Sequence, residues 1–424
     1  MSTLLERHRG NDIDPAGLAC LLAELPPAPF AAQARAHRQM QRAGAVLDAP
    51  LVRQLIRVGR GPAGGSTLGA ATGGTFRNTP GEGFRIAPEI FEEATVPNVW
   101  SSSTKTDPGW ASKDGFDIPN RGLLAQIELI TAGTFTHTAG TGTITATDYL
   151  PYGWFDSIEF SVNGSALKSA SGLAYELRRQ VLSRRATTTD LYPTAAGANT
   201  WNVRHRIPIA DNMRNLWGAI LAQADDLYLR LDLTRCAKAK IVALTGNADV
   251  TWAGTWQLRY KAFDVPIVNI QGIGEVAVLP DTDVLHRFHE YSVPVTSNGD
   301  TVLKLQRTAG EVERVFLFLE NGGASAYALQ NPNTWEEVRF RYMANEQPLV
   351  WPAKSLLAEN ANDYSGVLSP KAVVIDFAAH NQRRDGLFPK AIADPEIVVN
   401  VPTAVTVNAN ARLYAVQESL VGGA

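Results

Sequence analysis

The chain reads as a mainly β protein: two tandem jelly-roll β-sandwiches behind a helical, glycine-rich N-terminal arm. Three observations predict this. From Phe116 onward apolar residues recur at every second position, the period of strands with one buried face. A strand-like run ending in Asn-Gly occurs twice, Asp156 to Val162 before Asn163-Gly164 and Val312 to Glu320 before Asn321-Gly322-Gly323. Asn-Gly accepts the positive φ angles that tight turns between antiparallel strands require, so each run reads as a strand entering a hairpin or sharp loop. Long excursions separate many of the short strands, which suits jelly rolls better than meanders. The expected division is an N-terminal segment and arm at 1–115, a first sandwich at 116–265 and a second at 272–424.

The N-terminal residues predict helices. Asp14 as N-cap, Pro15 at the first helical position and Leu18, Leu21, Leu22 and Leu25 at helical spacing favour a short helix over a secretory signal, whose apolar core Asp12, Asp14 and Glu24 would interrupt. Pro29 to Arg42 is helix-prone, and a third helix restarts at Asp48-Ala49-Pro50. It places Leu51, Val52, Leu55, Ile56 and Val58 on one side and Arg53, Arg57 and Arg60 on the other. The glycine-rich stretch at 61–74 and the turn-rich sequence to about Gly115 predict a flexible or extended arm.

Strands follow. Leu123, Ala125, Ile127 and Leu129 form one face against Gln126 and Glu128; Ile158, Phe160 and Val162 alternate with Ser157, Glu159 and Ser161. Leu227, Leu229, Leu231 and Leu233 repeat the pattern, as do Trp256, Leu258 and Tyr260. Ala166 to Arg185 and Asp211 to Gln223 read as helical interruptions. The second unit has expected strands at Glu275 to Leu279, Thr301 to Gln306, Val312 to Glu320, Val338 to Tyr342 and Ala404 to Val416, the last with Val405, Val407, Ala409, Ala411 and Leu413 inward. Asn321 to Pro370 reads as a long loop with short structure inside it.

Composition narrows the function. Of 424 residues 45% are apolar and 19% charged, below the roughly 25% charge of ordinary domains; neighbours rather than water would cover much of such a surface. Mean hydropathy is −0.10, and no run of about 18 apolar residues could span a bilayer as a helix. A net charge of −3 argues against specific nucleic-acid binding, although six arginines lie between Arg35 and Arg60 against Asp48 alone. The two cysteines, Cys20 and Cys236, sit in unlike contexts, which fits assembly in a reducing cytoplasm rather than a disulfide framework.

Chemistry-bearing motifs are missing or misspaced. His286-x-x-His289-Glu290 lacks the zincin spacing, and two histidines three apart share a side only on a helix. Gly272-x-Gly274 precedes a strand rather than a helix, and GPAGGSTLG at 61–69 lacks the P-loop lysine. Asp225-Asp226 and Asp281-x-Asp283 read as turn formers rather than as a glycosidase pair. Arg178-Arg179, Arg184-Arg185 and Arg383-Arg384 read as solvated faces or partners for a neighbouring subunit's acids rather than as phosphate sites. No catalytic residue, metal or cofactor is expected.

The ordered series FDIPNRGLLAQIELITAGTFTHT (116–138), TDYLPYGWFDSIEFSVNGSALKSASGLAYEL (147–177) and IPIADNMRNLWGAILAQADDLYLRLDL (207–233) resembles the first half of tectivirus-type major capsid proteins. EVAVLPDTDVLHRFHEYSVPV (275–295), RVFLFLENGG (314–323), LSPK (368–371), LFPK (387–390) and TVNANARLYAV (406–416) resemble the second. The resemblance covers about 115–424 and implies a double jelly roll, homotrimeric pseudo-hexameric capsomers, and an icosahedral virion shell over an internal membrane. It also implies contacts with neighbouring capsomers and with vertex and minor capsid proteins, and no catalytic residues. The N-terminal region is longer than the family's usual single helix; Leu51, Arg53, Leu55, Ile56, Arg57 and Arg60 are the expected membrane- or neighbour-contacting residues there. The alternative from another class is a glycan- or receptor-binding β-sandwich of spike or lectin type, with a glycosidase on the same architecture third.

Overall fold

The structure, a computed structural model, describes residues 101–422 apart from 121, 139, 184–195, 212–217, 223–226, 264–266, 271–273, 278–283, 306–310, 323–326, 342–348, 365, 367 and 378–394. The first half runs β1 (Ser101–Thr106), β2 (Lys113–Ile118), β3 (Leu123–Thr138), β4 (Ile144–Ala146), β5 (Phe155–Val162), β6 (Ser165–Ala170), helix α1 (Gly172–Ser183), β7 (Gly197–Pro208), β8 (Ile220–Leu221), β9 (Leu229–Arg235), the single turn α2 (Lys238–Ile241), β10 (Val242–Leu244) and β11 (Asp249–Phe263). A two-stranded ribbon, β12 (Ile267–Ile270) with β13 (Gly274–Ala277), comes next. The second half runs β14 (Val284–Pro294), β15 (Gly299–Lys304), β16 (Glu311–Glu320), β17 (Glu337–Arg341), β18 (Leu349–Pro352), helix α3 (Ala353–Asp363), β19 (Ala372–Asp376), β20 (Glu396–Val401) and β21 (Arg412–Gly422).

These strands make the expected mainly β, double jelly-roll fold. One sheet has the order β1-β11-β3-β7, with β8 on the start of β3, and another the order β15-β20-β17-β18. The largest has eight strands, β19-β16-β21-β14-β6-β5-β9-β2, and each half contributes four. The halves meet where β14 pairs in parallel with β6, Phe288 opposite Lys168 and His289 opposite Ser169.

Alternation along this shared sheet assigns its faces. Phe116, Ile158, Phe160 and Leu231 point into the first core, and across the seam so do Phe288, Phe316, Val374 and Val416. Val315, Leu317, Val373, Leu413 and Ala415 point the other way, into the second core. The two sandwiches therefore lie on opposite faces of one sheet. Strands β16 and β19 are consequently buried on both faces, which is why VFLFL (315–319) and AVVI (372–375) are unbroken apolar runs.

Local chemistry accounts for the turns. Asn163 and Gly164 both have positive φ, 50° and 76°, the signature of the two-residue turn that joins β5 to β6. Gly133 and Gly254 are cross-strand partners; a Cβ on Gly133 would lie 2.3 Å from the Ala253 carbonyl and 2.8 Å from the Trp252 ring. That pair leaves room for a cluster of aromatics in the first core. Arg235, fully buried, lies 3.7 Å over the Trp154 ring and 4.5 Å over Trp110, and its guanidinium donates to Asp107. Burial, opposed by the Asp107 charge, pulls the Arg235 guanidinium down to about 10.

The fold departs from expectation at several elements. Ser101–Thr106, within the stretch expected to be turn-rich, is a strand whose six residues pair with β11. Ala166 to Ala170 is strand β6, not the start of a helix, because the Asn163-Gly164 turn folds it back on β5; α1 begins at Gly172. Ile220 and Leu221 pair with Leu124 and Leu123 rather than ending a helix from Asp211. Gly218, at φ 80°, precedes them. Strand β21 starts at Arg412, and Ala404 to Ala411 is a loop in which the Asn408 amide groups bond the Asn321 backbone and side chain. Val405 and Val407 still pack partly against the second core. The stretch expected as a long loop with short structure inside it holds β18 and α3 besides β17, which falls on the strand expected at Val338 to Tyr342, and Asn360 of α3 bonds both backbone groups of Val374 at 2.7 and 2.9 Å. Strand β3 is buried on both faces rather than one: Glu128 is 5% exposed beneath Arg204 and Arg206 of β7. Among the described residues, no helix is long and apolar enough to cross a membrane.

Candidate functional site

Leu51, Arg53, Leu55, Ile56, Arg57 and Arg60 lie outside the described residues, as do Cys20, Asp225-Asp226, Asp281, Asp283, Arg184-Arg185 and Arg383-Arg384. His286 and His289 lie three apart on strand β14, so they point to opposite faces of the sheet. Cys236 is a buried free cysteine whose thiol burial pushes up to about 12, so it is inert as a nucleophile at neutral pH.

Among the described residues, a dense polar site lies at the seam where α1 meets β14, β16 and β21. Helix α1 is buried almost all round, including Glu176, Arg178 and Gln180, so Arg178 is not on the solvated face expected of it, while Arg179 stays partly exposed beside Glu176. Arg178 donates from Nε to Oε1 of Glu418 and from Nη2 to the Asp211 carbonyl at 3.0 Å. Arg314 donates from Nη1 to the other oxygen of Glu418 at 3.2 Å and from Nε to Asp376 at 3.2 Å, and the Tyr364 hydroxyl adds a 2.7 Å bond to Asp376. His286 Nε2 lies 2.8 Å from Glu418 Oε1, and Lys168 Nζ lies 2.5 Å from His286 Nδ1 and 2.9 Å from its carbonyl. Lys168 and Glu418 are fully buried and His286 is 1% exposed.

The network assigns the protons. Burial, then Lys168 beside it, holds His286 down at about 3. The neutral ring accepts from Lys168 at Nδ1 and donates from Nε2 to Glu418. Burial alone would raise the Glu418 carboxyl, but Arg178, Arg314 and His286 hold it well below the usual carboxylate range. Burial and the nearby Arg178 push Lys168 well down. Glu313 is the exception: burial, then Asp211 and Glu418, raises its carboxyl well above the ordinary value, against the pull of Arg314 at 3.6 Å. Glu313 is the extra residue of a bulge in β16, between Val312 opposite Ser419 and Arg314 opposite Glu418. Bulges re-aim side chains, and this one brings two adjacent residues of one strand toward the same cluster.

One ligand atom each from Asp211, His286, Glu313 and Glu418 lies within 4.8 Å of the others, the arrangement of a possible cation site. Both Glu418 oxygens are already taken by guanidinium donors and His286 Nδ1 by the Lys168 amine, so the cluster works as an ion-pair seam that ties α1 of the first half to three strands of the second. Sequence reasoning missed Lys168, Glu313, Arg314 and Glu418. Their only signal is a charge inside an otherwise apolar strand, and surface positions give the same signal.

A cleft of about 570 Å³ is lined in part by Asp156, Lys240, Glu290, Glu320, Tyr327 and Arg412. Each carboxylate is held by a donor of the chain. Ser171 N and Oγ bond Glu290 at 2.9 and 2.6 Å, Lys240 bonds Asp156 at 2.6 Å, and the Tyr149 hydroxyl donates to Glu320. Glu290 and Glu320 come from the second half and their partners Ser171 and Tyr149 from the first, so this cleft too is stitched across the halves.

No protein-family model and no curated protein matches the chain. Among solved structures it is similar to the STIV MCP, at 16% identity and a TM-score of 0.55, over 76% of this chain and 97% of that one. It is also similar to a chain from the atomic structure of Sulfolobus Turreted Icosahedral Virus, at 15% identity and a TM-score of 0.55, over 76% of this chain and 90% of the other. At such identities the likeness is one of fold: the chain carries the double jelly-roll fold of viral major capsid proteins.

Proposed function

We propose that this chain is the major capsid protein of an icosahedral virus, a structural subunit rather than an enzyme. The observation that carries the reading is the pair of sandwiches on opposite faces of one sheet, locked by a buried ion-pair seam, in a fold shared with chains of an icosahedral virus. A shell subunit needs such a rigid two-sandwich block, because three copies then present six similar units around one axis and reuse each surface under closed symmetry. In this reading the rolls are the units 116–265 and 272–424, the assembly is a homotrimer, and the partners are neighbouring capsomers and vertex and minor capsid proteins. The protein is made in the host cytoplasm and resides in the virion, with no specific nucleic-acid contact.

In the same reading the N-terminal region contacts an internal membrane. Leu51, Leu55 and Ile56 on one side of the expected helix and Arg53, Arg57 and Arg60 on the other suit the interface of an anionic bilayer.

Sedimentation of the purified chain at micromolar concentration tests the assembly. A trimer of the 45.8 kDa chain, hexagonal in negative stain and burying more than about 2,000 Å² per pair, is expected. A monomer that binds glycans would overturn it in favour of a receptor-binding sandwich. Reversing Arg53, Arg57 and Arg60 to glutamate should weaken binding to anionic vesicles and leave the trimer intact. Unchanged vesicle binding would remove the membrane role while leaving the capsid reading standing.

A further inference from the structure

The face of β14 that turns away from α1 carries a cluster of opposite character. His286, Phe288 and Glu290 face the seam, so Arg287, His289 and Tyr291 face the other way. There, Ser165 and Ala166 from the start of β6 and Lys304 and Leu305 at the end of β15 join them around an open groove of about 610 Å³. Among the described residues this lining holds an arginine, a lysine and an imidazole, and no carboxylate.

Its donors are under-used. Arg287 is half-buried, its Nε is shut off from water, and among the described residues it has no hydrogen-bond or ion-pair partner. His289 is tied to the Leu167 carbonyl by one side of its ring, and its Nε2 is buried without a partner. Lys304 reaches Glu396 only at 3.8 Å, with its side chain 80% exposed. Leaving a buried polar group unpaired is costly, more so when it is charged. At the seam the buried Arg178 and Arg314 are paired with Glu418, and the unpaired nitrogens of buried Arg235 lie against the Trp154 and Trp110 rings. A guanidinium with no partner among the described residues, an ammonium and a serine hydroxyl around one opening form the donor set that recognises a planar or tetrahedral oxyanion.

We infer that this groove is an oxyanion-binding site, taking a phosphate or a carboxylate between Arg287 and Lys304 with Ser165 at its edge. His289 couples the site to protons. Arg287 and Tyr291 flank it on its own strand, Lys168 lies behind it on β6, Lys304 faces it across the groove, and its partner on β21 is the uncharged Gln417. Burial, then the positive charges of Arg287 and Lys168, holds the ring down at about 4. A bound anion offsets those charges, so binding raises the affinity of His289 for a proton and tightens as pH falls.

Titration of the purified full chain with sulfate, whose charge is constant across the range, tests this at fixed ionic strength set by chloride, read by calorimetry and by the His289 ring resonance. Saturable millimolar binding is expected, several-fold tighter at pH 5 than at pH 8, and at least tenfold weaker in Arg287→Gln. Lys304→Gln, at an exposed position that folding does not need, should weaken it about threefold. Parallel titrations with inorganic phosphate and with acetate separate the two sources, the tighter ligand naming the natural group. Non-saturating binding, or equal affinity in the parent and Lys304→Gln together with an unmoved His289 resonance, would overturn the site even if Arg287→Gln failed to fold.

Discussion

Arg178 of α1 donates to Glu418 of β21 across 240 residues of sequence, both side chains nearly or wholly removed from water. Arg314 takes the other oxygen of Glu418, so one carboxylate holds a helix of the first sandwich and a strand of the second. Two cations on one buried anion also explain why its acidity survives a dry environment that would otherwise neutralise it.

Removing one side of this arrangement strands the other. Arg178→Met should cost about 3–5 kcal/mol, the range for an uncompensated buried charge, measured by urea denaturation. Glu418→Gln, which keeps the shape and loses the charge, should cost a similar amount because two guanidinium groups then lack their anion. A change below about 1 kcal/mol in both would mean that water reaches the seam.

His205 supplies a pH signature. It is 2% exposed, its Nε2 lies 3.0 Å from the Tyr152 carbonyl, and burial holds it down at about 4. Between that value and its ordinary 6.5 the unfolded chain binds a proton that the folded chain refuses. Stability is therefore present above pH 6.5 and lost as pH falls toward 4, at up to about 1.4 kcal/mol per pH unit. Relative to the parent, His205→Gln should have a shallower stability profile in that window and a parallel one above pH 7. Buried Glu290 and Glu313, raised rather than lowered, tilt the profile the opposite way in both proteins and cancel in the comparison. Superimposable profiles would refute the assignment.

Arg235 and Asp107 form a second dry pair, both fully buried, and Asp107 also accepts a 2.7 Å bond from Trp252 Nε1. Arg235→Leu should destabilise by about 3–5 kcal/mol. The double variant with Asp107→Asn should lose clearly less than the two single losses combined, because the leucine then leaves no lone carboxylate. Additive losses would show that Arg235 acts through the tryptophans alone.

Gly164 sits at φ 76° with open space where a Cβ would go, so only backbone strain opposes a side chain. Gly164→Ala should cost about 1–2 kcal/mol, and Asn163→Gly less than about 0.5 kcal/mol. Thermal melts check both, and a neutral Gly164→Ala would mean that the hairpin tolerates another turn type.

Sequence periodicity found the strands that have one wet face or one clear core face. Leu229, Leu231 and Leu233, and Trp256, Leu258 and Tyr260, are buried as the alternation requires, and Asn163-Gly164 turns as its composition demands. Local signals failed where distant partners decide. Ala166-Leu167-Lys168 are good helix formers, yet β5 on one side and β14 on the other make them a strand. Ala404 to Ala411 alternates like a strand, but the amides of Asn408 satisfy a loop instead. Glu418 stands between Gln417 and Ser419 and looks like solvent-facing sequence; nothing local names partners on α1 and β16. The seam was therefore illegible, while the sandwiches were not.

The pairing of β14 with β6 spans only two positions in register, so backbone hydrogen bonds alone are a thin weld between the two sandwiches. Side chains carry the joint: a helix clamped by acids of the other half, and a carboxylate that neither half can leave without abandoning a charge in oil. Pulling the sandwiches apart thus has no cheap first step. The molecule should melt as one block, with a single calorimetric transition, and resist shear until the whole joint yields at once.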